Sequence, residues 1–219
     1  MLSIISQLCL QLHDCKEKDC SVRLLSKFLE NEYEKLDRFA ELFVKYTAQL
    51  AFTDKQLETL DLAVMQARLQ DGVDPDEEDE EEDLEKVEFR HSRRLEGGLF
   101  ALQQAAVVLA FNGIYGGSQV VENISSKLAA ESSENVLTMD NNVLSVIREA
   151  ASYADGGIAG LLGVVPGSDG LEPGQEPDAR VVASGFSGQR KLLIEWSAAL
   201  SEKVKEFGVE ANSNPNCLE

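Results

Sequence analysis

GGLFALQQAAVVLAFN, residues Gly97 to Asn112, carries only two polar side chains between Leu99 and Phe111, namely Gln103 and Gln104. A helix built from it is apolar around nearly its whole circumference, and such a helix has to be wrapped by others. Its 13 apolar-rich residues fall well short of the roughly 20 that cross a bilayer. The stretch therefore predicts the buried central helix of an all-α protein. Gly97-Gly98 before it and Gly113 after it are read as its limits.

Downstream, Gly116-Gly117 turns the chain, and Ser118 is expected to cap a helix over Gln119 to Ala130. Asp140 is expected to cap another, Asn141 to Ala154, with Val143, Val146, Ile147 and Ala150 on one face. Gly156 to Gly188 then holds nine glycines and three prolines, which reads as a linker or long loop. A last helix is predicted from Ser187 to about Phe207. Leu192, Leu193, Trp196, Ala199, Leu200, Val204 and Phe207 form its apolar stripe, and Gly208 stops it.

Upstream, Ile4, Ile5, Leu8, Leu10 and Leu12 make a short apolar segment that begins almost at Met1. Two readings stay open: it docks on the helices that follow, or further sequence once preceded it. MLSIISQLCLQL lacks the basic start and small-residue cleavage site of a signal peptide, so the chain reads as intracellular and soluble. Asp19 or Ser21 is expected to cap a helix carrying Val22, Leu24, Leu25, Phe28 and Leu29. Asn31 with Glu34 resembles a capping box for the next, where Leu36, Phe39, Ala40, Phe43, Val44 and Leu50 recur at three and four. Thr53 with Gln56 is expected to open a separate helix to Gln70, its packed face being Leu57, Leu60, Val64 and Ala67. Antiparallel helices joined by short turns are the pattern of bundles and α-solenoids. The units share no fixed consensus, so any repeats are of the degenerate armadillo or HEAT kind.

The net charge is −19, and DPDEEDEEED at Asp74 to Asp83 supplies nine of the negatives. With those removed, −10 of the −19 remains. Such a surface repels phosphate backbones, so direct nucleic-acid binding is not expected and basic protein partners are. The acid run reads as a solvated loop or, more sharply, as a dock for a lysine- or arginine-rich peptide through Asp76, Glu77, Glu78, Asp79, Glu80, Glu81, Glu82 and Asp83. Helix resumes from about Glu81 to Glu96 with Arg90, His91, Arg93 and Arg94 close together. These bases are placed to fold back on the acids or to anchor a partner, and His91 is expected to be exposed.

Cys9, Cys15, Cys20 and Cys217 have no framework spacing, and His13-x-Cys15-x4-Cys20 is off the zinc pattern, so reduced, partly buried thiols are expected. No G-x-S-x-G, Walker loop, C-x-x-C or paired metal-binding histidines occur. No catalytic residue, metal ligand or cofactor site is predicted, and neither is a membrane span.

RLLSKFLENEYEKLDRFAELFVKY (Arg23 to Tyr46), then DKQLE, an acidic break, and FRHSRRLEGGLFALQQAAVVLA (Phe89 to Ala110) resemble the C-terminal part of the beta-catenin-like protein 1 family. The blocks agree in order and spacing, and the resemblance runs from about Ile4 to Asp155. It implies an armadillo-like α-solenoid, a superhelix of antiparallel helices, of which this chain is a C-terminal portion. It also implies a nuclear scaffold associated with the spliceosome's nineteen complex, which binds basic, nuclear-localisation-like segments of splicing factors and is linked to activation-induced cytidine deaminase. The family's N-terminal basic segment and most of its repeats have no counterpart here. The longer acid run and the glycine-rich insertion after Tyr153 depart from its pattern. RRLEGGLF (Arg93, Arg94, Leu95, Gly97, Gly98, Leu99 and Phe100 among its residues) carries over as a structural signature.

The expected organisation is armadillo-like helices over 1–71, an acidic loop over 72–83, and a helical subdomain over 84–155. A linker or loop over 156–186, a helix over 187–208 and a tail over 209–219 follow. The functional expectation is a non-enzymatic splicing scaffold. The alternative is a helical oligomerisation or capping module, with the first and last helices forming a homo-oligomeric contact.

Overall fold

The computed structural model describes residues 2–14, 18–70, 80–132, 138–153 and 190–206, and among these the chain is all-helical. In order come α1 (Leu2–Asp14), α2 (Lys18–Leu29), α3 (Glu34–Gln70), α4 (Glu80–Glu96), α5 (Leu99–Tyr115) and α6 (Ser118–Glu131). A π-helical turn, Met139–Val143, leads into α7 (Leu144–Tyr153), and α8 spans 190–206. Linker 156–186 and tail 209–219 lie outside the described residues.

α5 is the buried axis that its composition demands. Every residue from Ala105 to Gly113 is buried, and Leu99 and Leu102 join them. α1, α3, α6 and α7 pack around it, so the apolar circumference meets protein on each side. Its two glutamines lie at the edge of this seal, and Gln104 accepts a hydrogen bond from the buried Ser6 hydroxyl of α1. Asn112 Nδ2 donates to the Val108 carbonyl at 2.8 Å, which lets an amide sit in the core.

Several expected boundaries move, each for a local reason. α3 is one helix of 37 residues, not two. No glycine or proline interrupts it, and the Thr53 hydroxyl bonds back to the Gln49 carbonyl at 3.1 Å instead of capping a new start. Asn31, Glu32 and Tyr33 form a left-handed turn, with φ of 55°, 55° and 68°, so Asn31 is not the cap. Ser21 sits inside α2 and donates to the Leu12 carbonyl at 3.2 Å, satisfying one of the last acceptors of α1. Gly117, not Ser118, is the N-cap of α6. Asp140 falls within the π-helical turn rather than ahead of a helix.

Gly113 does not end α5, which runs on to Tyr115. A Cβ there would stand 2.8 Å from Met139 Cε and 2.9 Å from Leu200 Cδ1, so this glycine serves close packing. α8 brings Leu192, Leu193, Trp196 and Leu200 into the same core, with the Trp196 ring tilted 41° against that of Phe111 and the centroids 6.1 Å apart. The apolar stripe expected to meet another subunit is therefore used within the chain. At the other end, Cys9, Leu10 and Ile5 dock α1 on the core, while Ile4 and Leu8 stay exposed.

Candidate interaction surface

The signature block makes the joint between α4 and α5. Gly97 N–H donates to the Arg93 carbonyl at 2.9 Å and Gly98 N–H to the Leu95 carbonyl at 3.1 Å, closing α4. Gly98 has φ +99°, in the left-handed region that favours glycine. α4 and α5 bend by 65° across it, and no single helix among the described residues is long and apolar enough to cross a membrane. Both glycines also permit close approach to α3. A Cβ at Gly97 would lie 2.6 Å from Thr53 Oγ1, and one at Gly98 2.6 Å from Tyr46 Cδ1. Leu99 is buried, whereas Leu95 and Phe100 are exposed.

This tight elbow aims the basic cluster at acids far away in the chain. Arg94 reaches Asp54 of α3 (Nε–Oδ1 3.0 Å) and Glu149 of α7 (Nη1–Oε1 2.5 Å), joining three helices through a half-buried guanidinium. Arg90 pairs with Asp61 of α3 at 3.3 Å. Arg93 pairs with Glu96 at 2.9 Å and lies over the Phe89 ring. Among the described residues, Arg90 and Arg94 thus pair with acids of α3 and α7, while the acid run they were expected to meet lies largely outside the described residues. His91 is half-buried rather than exposed. Desolvation holds its pKa below the usual histidine range, Arg94 adds to that, and Glu149 opposes it. On the far side, Lys127 of α6 meets Glu131 at 3.2 Å, Glu41 at 3.5 Å and Asp37 at 3.9 Å, clamping α6 to α3.

Beside Arg94 lies a cleft of about 180 Å³ between α3, α5 and α7. Phe43, Leu50, Leu102 and Val146 form its apolar wall; Thr47, Asp54, Asn142, Ser145 and Glu149 form the polar part. It is smaller than the about 300–1,000 Å³ of small-molecule sites. The π-helical turn sets Asn142 here, where its Oδ1 accepts the Thr138 N–H at 2.9 Å. Among the described residues no three potential ligands gather for a metal ion.

The second half of α3 departs most from expectation. Leu57 is buried, but Leu60 and Val64 are exposed, as is Ala67. Beyond Leu57 no residue of α3 is buried, and α4 runs alongside as an antiparallel arm. Leu62, Met65 and Leu69, spaced by three and four, share one outer stripe at 60%, 50% and 54% exposure. Val87 and Phe89 of α4 are exposed on the same arm. Periodicity singled out Leu57, Leu60, Val64 and Ala67 and not Leu62, Met65 or Leu69, and it could not tell where along α3 the packed face stops meeting protein.

Of the acid run, Asp76, Glu77, Glu78 and Asp79 lie outside the described residues. Glu80, Glu81, Glu82 and Asp83 form the first residues of α4 rather than part of a loop. Cys9 is buried and Cys20 half-buried, and neither is in a disulfide, while Cys15 and Cys217 lie outside the described residues.

Comparison with known proteins adds the lineage of this arrangement. A family model described as catenin-beta-like, Arm-motif containing, nuclear matches residues 1–144. The chain is similar to beta-catenin-like protein 1 of Mus musculus, 38% identical over 88 residues, and to that of Homo sapiens, 36% identical over 88 residues. Each match covers 40% of this chain and 14% of the relative, so the similarity spans a small part of those proteins' length. No solved structure matches.

Proposed function

The chain belongs to the catenin-beta-like, Arm-motif-containing nuclear family, and from that membership we propose that it is a non-enzymatic interaction scaffold of pre-mRNA splicing that binds basic segments of splicing factors in the nucleus. The observation that carries the reading is the pairing of an Arm-type helical fold with a net charge of −19. Arm-like stacks of helices offer extended surfaces rather than enclosed chemistry. Their acids here attract lysine and arginine and repel phosphate. The 180 Å³ cleft has room for a side chain rather than a cofactor.

The test is direct binding of lysine- and arginine-rich segments from splicing factors to the purified chain, followed by calorimetry across a salt series. Binding that weakens steeply with salt supports the reading, and acidic or neutral segments should not bind. A folded chain that binds none of the basic segments at low salt overturns it. Recovery of the same factors from nuclear extract, sensitive to the same salt, places the interaction in splicing.

A further inference from the structure

We infer that the outer stripe of the α3–α4 arm, Leu62, Met65 and Leu69, docks an amphipathic helix of a partner, one that is basic on the flanks of its apolar face. This rests on the basic-segment reading above and deepens it by giving the partner a conformation and an apolar anchor.

The stripe lies where the bundle no longer needs it. α3 contributes its last buried residue at Leu57, and the α3–α4 pair beyond is held by contacts that include Arg90 with Asp61 at 3.3 Å. Three large apolar side chains at half exposure or more, aligned on one face, form a contiguous strip rather than scattered surface residues. Leu62 to Leu69 spans two helical turns, about 10 Å, the span over which a helix presents anchors at i, i+3 or i+4, and i+7. A helix is thus the shape that fits.

Charge selects which helix. Glu58 and Glu85 are exposed on the same arm, and ten further acids stand in sequence between Gln70 and Leu84. Arg90 and Arg93 are engaged by Asp61 and Glu96. A second copy of the chain would bring the same −19 to the contact and be repelled, whereas lysines and arginines beside an apolar stripe are attracted.

The experiment uses fluorescence anisotropy with the full chain and three labelled peptides of roughly 18 residues. The first has leucines on one helical face and lysine or arginine elsewhere. The second has the same composition with the leucines scattered, and the third replaces the bases by glutamate. The amphipathic basic peptide is expected to bind at least about tenfold tighter than the scattered one. Leu62→Ser, Met65→Ser and Leu69→Ser combined should erase that advantage while circular dichroism stays unchanged; Met65→Ser alone should reduce it if the triple variant loses helicity.

Equal binding of both basic peptides, or an unaffected triple variant, overturns the stripe as the dock and leaves basic-segment binding standing. Equal binding of the glutamate peptide removes the charge argument and the basic reading with it. Binding by neither basic peptide sinks both. A dimer of the parent chain that the triple variant abolishes, seen by sedimentation, makes a second copy the occupant and overturns the proposal.

Discussion

Arg94 on α4 and Glu149 on α7 stand 2.5 Å apart, Nη1 to Oε1, although 55 residues separate them in the chain. Asp54 of α3 approaches the same guanidinium from another side at 3.0 Å. The side chain is 22% exposed, so water screens these charges less than it does the pairs along the helix surfaces. One residue of the signature block therefore holds the α3–α4 arm to the α7 side of the core.

Arg94→Met, which keeps the stem and removes the charge, should lower stability by about 1–3 kcal/mol in urea denaturation. Arg94→Lys should recover less than half of that, since a compact ammonium lacks the planar guanidinium that reaches Asp54 through Nε and Glu149 through Nη1 at once. A Met variant as stable as the parent would show that desolvation of the three charges cancels their attraction.

The glycine elbow invites a coupling experiment. Gly98→Ala meets two costs: the left-handed φ of +99° and the Tyr46 ring, 2.6 Å from the new Cβ. In the parent chain the substitution should cost at least about 2 kcal/mol. In a Tyr46→Ala background the ring is gone and only the backbone cost stays, so a coupling of about 0.5–3 kcal/mol is expected between the two positions. Additive losses would show that Tyr46 swings aside freely.

Burial divides the leucines just as sharply. Leu102 and Leu109 are 2% and 0% exposed in α5, and replacing either by Ala should cost about 2–5 kcal/mol. Leu62→Ala on the arm should change thermal stability by less than about 0.5 kcal/mol. A large loss at Leu62 would mean that the arm is covered in solution.

The contrast between these leucines marks how far the sequence could be read. α5 was legible because an all-round apolar helix has one stable placement, inside. The resemblance carried by Arg93 to Phe100 was legible as wording, but what Arg94 reaches was not, since Asp54 and Glu149 are distant in sequence. Thr53 and Gly113 look like punctuation, yet each lies within a helix; a side chain's capping role depends on backbone geometry that a pattern of residue types does not contain. Leu60 and Val64 followed the same period as Leu57 but sit past the point where the core ends. The exposed stripe, the feature most relevant to binding, was thus hidden, since Thr53 to Gln70 reads as helix but as a separate one with its packed face elsewhere.

Cys9 on α1 gives the remaining prediction. Its thiol is buried against α5, and burial pushes its pKa from the ordinary 9.0 up to about 12. At neutral pH it should resist alkylating reagents in the folded chain, with half-buried Cys20 modified sooner. The sign of the pH dependence follows from proton binding. Between pH 9.0 and about 12 the unfolded chain has released this proton while the folded chain keeps it. The unfolded state then binds fewer protons, and stability falls as pH rises through that window. Below it, the thiol's contribution is fully present. Urea midpoints of the parent and of Cys9→Ala should therefore converge as pH rises above about 9, because the titration of lysines and tyrosines is common to both. Parallel curves would mean that Cys9 is already open to solvent.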